Sequence, residues 1–227
     1  MKPTLASVLF TVAACTGVQA GPMDLVGTSS GRYALKVTSL KEARFRTTVR
    51  QQYDFSCGSA ALATLLTHHY GNQVSEQSVF EAMYAQGDQQ KIQREGFSLL
   101  DMKRYLRELG YQADGFELPL DKLVESGLPA IVLIAEKNYH HFVVVKGMRN
   151  GRVLIGDPST GARALSRERF ESVWVNRLLF VVHNRQSQAL FNADAEWQYA
   201  PRAPLASGLQ SDALAIQALG KLGPNDF

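Results

Sequence analysis

Gln51-Gln52-Tyr53-Asp54-Phe55-Ser56-Cys57-Gly58-Ser59-Ala60-Ala61-Leu62-Ala63-Thr64-Leu65-Leu66-Thr67-His68-His69-Tyr70-Gly71 is the stretch on which the fold turns. From Cys57 onward it is rich in Ala and Leu, carries no proline, and meets Gly71 where a helix takes its left-handed cap. The pattern predicts a helix over residues 57–70. Ala60, Ala61, Leu62, Ala63, Leu65 and Leu66 cover nearly every face of its first half, which marks a helix surrounded by protein. Asp54 and Ser56 stand just before it as capping candidates.

Downstream, a second helix is expected after Ser75 and a third from Ser98, where Asp101 follows at a capping-box spacing and Gly110 closes the run. Pro119 and Asp121 open a short helix ending near Gly127. The chain then shifts to β-branched runs over residues 130–135, 142–146, 152–155 and 178–182, which read as strands. Helices first and strands later give an α+β fold, a central helix set against an antiparallel sheet.

Composition bounds the rest. The 227 residues are 45% hydrophobic and 20% charged with a net charge of +3, an ordinary globular balance that gives no reason to expect nucleic acid as a partner. Residues 1–20 form an export signal: Lys2, an apolar run over residues 5–14, and small residues at Val18-Gln19-Ala20 for the peptidase. The run is too short to span a membrane, and no later segment is long and apolar enough. A periplasmic location follows. A lipoprotein box at Val12-Ala13-Ala14-Cys15 offers the alternative of a lipid anchor on Cys15. Residues 21–49 read as a basic arm, 50–185 as the main domain, and 186–227 as a polar tail with an amphipathic helix over 205–219.

Cleavage at Ala20 leaves Cys57 as the only cysteine, so it forms no internal disulfide. A cysteine serves packing anywhere in a helix, but at the first turn it meets unpaired N–H groups and a dipole that favour the thiolate. Gly58 removes bulk where a substrate backbone would approach. His68 and His69 lie roughly 17 Å along the helix at 1.5 Å per residue and do not reach the thiol. At a strand mouth stand His140 and His141. A three-residue hairpin loop over Arg149-Asn150-Gly151 pairs residues whose numbers add to 300, which places His141 and Asp157 on one face and His140 on the other. Asp157 precedes Pro158, which ends the strand and leaves the carboxylate within reach of the imidazole. One cysteine and scattered carboxylates give no metal-ligand spacing, and no cofactor is called for.

Gln51 to Leu62, His141-Phe142-Val143-Val144 and Asp157-Pro158-Ser159-Thr160-Gly161 together resemble peptidase family C39, papain-like cysteine peptidases known for trimming double-glycine leader peptides. The resemblance runs from about Arg50 to Val182. It implies a papain-like fold, a Cys57–His141–Asp157 triad, and Gln51 as the oxyanion-hole glutamine, with Gln52 if the register slips by one. It implies peptide or protein substrates. The export signal and the lack of membrane and ATPase domains resemble the stand-alone members encoded with bacterial functional-amyloid secretion systems, whose subunits or partners become expected clients. A binding module with an idle triad, or an amidase or acyltransferase acting on cell-wall peptide, are the competing readings.

Overall fold

The computed structural model describes residues 39–136, 139–198 and 200, together with one short backbone ribbon nearer the N-terminus. The expected signal with Cys15, and the helix expected over 205–219, lie outside the described residues. Two units divide the chain, residues 1–39 and 40–227. In the first, β1 (Met23–Asp24) pairs antiparallel with β2 (Ala34–Leu35).

The second unit opens with α1 (Leu40–Ala43) and the central helix α2 (Cys57–Thr64), which continues as a π-turn over Leu65–His69 before Gly71 at φ 68°. Every residue of α2 is buried. Then come α3 (Glu76–Gln86), α4 (Gln89–Glu95) and α5 (Leu99–Glu108), the last opened by the expected capping box of Ser98 and Asp101. The remaining elements are β3 (Ala113–Glu117), α6 (Asp121–Ser126), β4 (Ala130–Glu136), β5 (Tyr139–Arg149), β6 (Arg152–Asp157), β7 (Gly161–Ser166), α7 (Arg167–Val173), β8 (Leu178–Val182) and α8 (Asp194–Trp197). The six strands β3 to β8 form one antiparallel sheet in the order β3-β8-β4-β5-β6-β7.

The α+β expectation holds, with α4, β3, β7 and α7 as elements that the apolar pattern did not announce. β3 and β7 are the two edges of the sheet, where one side of a strand needs no apolar residue. Alternation splits the strands between two cores. Ile131, Phe142, Val144, Phe180 and Val182 face α2 and the helices around it. Val132, Val143, Val145, Val153 and Ile155 face Leu120, Leu123, Phe170 and Trp174 on the other side.

The β5–β6 hairpin turns differently from the expected three-residue loop. Arg149 pairs with Arg152, so the loop is Asn150-Gly151 alone, both at positive φ (52° and 69°) as a type I′ turn requires. That turn pairs numbers adding to 301 near the tip, as in Met148 with Val153. A bulge at Lys146 then inserts one residue, and beyond it Val145 pairs with Ile155 and Val144 with Gly156, adding to 300.

The bulged Lys146 is fully buried. Its ammonium donates to the Thr47 carbonyl at 2.6 Å and to Thr47 Oγ1 at 2.9 Å, and meets Glu196 Oε1 at 2.6 Å. Gly156 leaves room for its stem, since a Cβ there would stand 3.0 Å from Lys146 Cδ. Glu196 belongs to the segment expected as a polar tail, and the described part of that segment is fastened to the domain. Leu190 N donates to the His69 carbonyl at 2.9 Å, His69 Nδ1 donates to the Leu190 carbonyl at 2.6 Å, and Asn192 N donates to the Lys146 carbonyl at 2.9 Å. Burial pushes Lys146 down and Glu196 up, both toward neutrality, and each is drawn back by the other's charge. Removing one partner of such a pair leaves a buried charge uncompensated. Glu196→Gln is therefore expected to cost about 3 kcal/mol of stability, read as a lowered midpoint in thermal or urea unfolding.

Candidate active site

Cys57 is the first residue of α2 and is 7% exposed. Ser56 occupies the N-cap position but makes no cap: its hydroxyl accepts from Tyr53 N at 3.1 Å and donates to the Tyr53 carbonyl at 3.0 Å. Asp54, the other capping candidate, is exposed and does not cap either. Among the described residues no capping side chain serves the first turn of α2, whose Cys57 and Gly58 N–H groups face the Cys57 sulfur, so that donor set and the positive end of the helix dipole favour an anion there. Gly58 also has a different task from the expected one. It is buried, and a Cβ on it would stand 2.9 Å from Phe97 Cβ and from Met102 Cε, so it admits α5 and its lead-in rather than a substrate. Burial pushes the Cys57 thiol up, against the Phe142 and Gly58 backbone N–H groups that favour the thiolate, while the charge of Asp157 adds to the rise. Desolvation therefore works against the thiolate expected at a helix start, and the donors work for it.

His141 and Asp157, both buried, meet as expected: His141 Nε2 lies 3.2 Å from Asp157 Oδ2. The other ring nitrogen, Nδ1, is buried and has no hydrogen-bond partner among the described residues. Asp157 Oδ1 accepts from Ser159 N at 2.8 Å, Ser159 Oγ at 2.7 Å and Thr160 N at 3.2 Å, the Asx-turn that the Asp-Pro-Ser-Thr sequence favours. Burial pushes this carboxyl up, but the hydrogen bonds from His141 and Ser159 outweigh it and hold the group well below the usual carboxylate range.

Three residues at the site escaped the sequence reading. Arg163 Nη2 reaches Asp157 Oδ2 at 3.1 Å and Glu136 Oε2 at 2.7 Å. Tyr139 stacks on the His141 ring, with centroids 5.3 Å apart and 25° between planes, and its hydroxyl donates to the Asp54 carbonyl at 2.8 Å. No local motif marks any of them; they arrive by strand pairing.

Gln51 is tied to the aspartate turn through its backbone, N–H to the Pro158 carbonyl at 3.1 Å. Its side-chain Nε2 donates to the Tyr53 carbonyl at 3.0 Å and the Asp54 carbonyl at 3.4 Å. Gln52 and His140 are exposed, and His69 is buried against the C-terminal segment.

A buried helix that presents a thiol at its mouth, set against a sheet carrying a carboxylate-bound imidazole, is the plan of an α+β cysteine peptidase with a papain-like fold. The chain belongs to the Peptidase C39 family, whose model matches residues 46–186. It is 41% identical over 164 residues to a probable functional amyloid protease FapD of Pseudomonas fluorescens, covering 72% of each chain. To the protein of the same name in Pseudomonas aeruginosa it is 37% identical over 183 residues, 80% of each. Among solved structures, the peptidase domain of Streptococcus ComA, a bi-functional ABC transporter involved in a quorum-sensing pathway, superposes with a TM-score of 0.50 at 27% identity, over 60% of this chain and 96% of that one.

The depressed carboxyl of Asp157 makes a prediction with a definite sign. A group whose folded value lies below its unfolded one stabilises the fold above the unfolded value, near pH 4, and that contribution fades as pH falls further. The stability gap between the natural protein and Asp157→Asn, measured by urea unfolding, is expected to shrink as pH falls below about 4.

Proposed function

We propose that the chain is an exported peptidase in which Cys57 is the nucleophile, His141 the general base and Asp157 the residue that holds the ring, acting on peptide bonds of functional-amyloid subunits or their secretion partners. The reading is carried by one observation: His141 gives Nε2 to Asp157 at 3.2 Å and keeps a second, unpartnered nitrogen in a buried site whose nucleophile lies against the next residue's backbone N–H.

His141 Nδ1 takes the Cys57 proton as the sulfur attacks the scissile carbonyl, giving a tetrahedral oxyanion and an imidazolium stabilised by Asp157. The imidazolium then protonates the departing amine, leaving a thioester. Water, deprotonated by the same nitrogen, attacks the thioester; the C–S bond breaks, the acid product leaves, and the departing thiolate takes back the proton from the imidazolium. The oxyanion falls to the uncapped N–H of Cys57 and to the Gln51 amide, whose Nε2 turns from the Tyr53 and Asp54 carbonyls to reach it. Because burial opposes a resting thiolate, transfer of the proton to His141 accompanies the attack on the substrate.

The amyloid clients are supported by the names of the two Pseudomonas relatives. Periplasmic export is supported by the signal pattern of residues 1–20, with lipidation at Cys15 as the alternative. Among the described residues no helix is long and apolar enough to cross a membrane.

The test is hydrolysis of a proteome-derived peptide library and of purified amyloid subunits by the mature protein. Cys57→Ala is expected to abolish cleavage, and Asp157→Asn to lower kcat about 10- to 10³-fold with the fold retained. Asp54→Asn is expected to leave both activity and stability unchanged, since its carboxylate caps nothing. Cleavage that survives in Cys57→Ala overturns the assignment.

A further inference from the structure

Four polar residues from four adjacent strands lie in a row on one face of the sheet. Glu136 on β4 shares a face with Ile134, which pairs with His141 on β5. Asp157 ends β6, and Arg163 on β7 pairs with Ile155, which shares a face with Asp157. The row is continuous in contact: Glu136 Oε2 to Arg163 Nη2 at 2.7 Å, Arg163 Nη2 to Asp157 Oδ2 at 3.1 Å, Asp157 Oδ2 to His141 Nε2 at 3.2 Å. A second arm of the guanidinium reaches Glu136 Oε1 at 3.4 Å, so the carboxylate grips it with both oxygens.

The charges along this row decide what the imidazole feels. Asp157 and Arg163 alone form a neutral pair, which stabilises an adjacent imidazolium poorly. Glu136 restores one net negative charge to the group. The Arg163 and Glu136 side chains are 23% and 24% exposed, so their charges are only partly screened. The other titratable or charged groups around the ring and the row are Cys57 from α2, Tyr139 stacked on the ring, and Arg169 from α7, which is 3.8 Å from Glu136 but 58% exposed.

We propose that Glu136 and Arg163 are positioning residues of the active site: Arg163 fixes the Asp157 oxygen that His141 uses, and Glu136 holds Arg163 while cancelling its charge, so that the imidazolium rests on a net negative group. This rests on the reading of His141 and Asp157 as triad members. A purely structural clamp would leave the charge state of His141 untouched; this one tunes it, and the two residues pull in opposite directions.

The experiment follows the His141 Hε1 and Cε1 resonances by NMR through a pH titration of the Cys57→Ala protein, with no substrate needed. Glu136→Gln is expected to lower the titration midpoint by about half a unit or more, since it leaves the Arg163 cation unbalanced. Arg163→Gln is expected to raise it by a similar amount, and Arg163→Lys to stay near the parent. Midpoints unchanged by both neutral substitutions, or moved the same way by both, overturn the inference. If Arg163→Gln does not fold, Glu136→Gln decides alone: an unchanged or raised midpoint overturns the proposal. Asp157→Asn in the same protein keeps the two levels apart. A midpoint that it fails to lower sinks the triad reading itself, whereas a lowered one with silent Glu136 and Arg163 substitutions sinks only this inference.

Discussion

The extra residue at Lys146 in β5 is the constraint on which the rest of the structure depends. A two-residue type I′ turn at Asn150-Gly151 sets a register in which Asp157 would stand opposite Val144, on the face away from His141. The bulge slips β5 by one and returns Asp157 to the face of His141, where the 3.2 Å bond forms. The same bulge buries an ammonium, and a buried ammonium must find acceptors. It finds them in Thr47, ahead of the central helix, and in Glu196, beyond the last sheet strand. One insertion thereby aligns the site and draws both flanking segments onto the domain.

Around that alignment the resting site keeps its donors in reserve. The first turn of α2 is uncapped because Ser56 spends its hydroxyl on Tyr53, and the amide of Gln51 is parked on two loop carbonyls. Tyr139 spans the gap, stacked on His141 and bonded to the Asp54 carbonyl, so the loop before Cys57 and strand β5 are held in fixed relation. Burial works against the thiolate in this state.

Much of this was legible in local sequence. The central helix, its glycine stop, the capping box at Ser98, the strand at residues 178–182 and the meeting of His141 with Asp157 all followed from residue types and spacing. The last came through the wrong turn: a three-residue loop and a two-residue loop followed by a bulge reach the same register beyond Val145, and pattern alone does not separate them. Gly58 and Asp54 were misread because a glycine or an aspartate beside a nucleophile carries the same letter whether it faces substrate, solvent or a packed helix.

By itself the sequence determined α2, α3, α5 and α6 and the strands β4, β5, β6 and β8, because helix and strand periodicity, caps and turns are written in neighbouring residues. It also marked Cys57, set just where an Ala- and Leu-rich run begins, as the candidate nucleophile. Only the tertiary structure decided what surrounds them: Arg163 against Asp157, Glu136 against Arg163, Tyr139 over His141, Glu196 against Lys146. These partners lie between 2 and 50 residues apart along the chain and meet through sheet register and burial, where a charge is placed by the acceptors it can reach and not by the residues beside it.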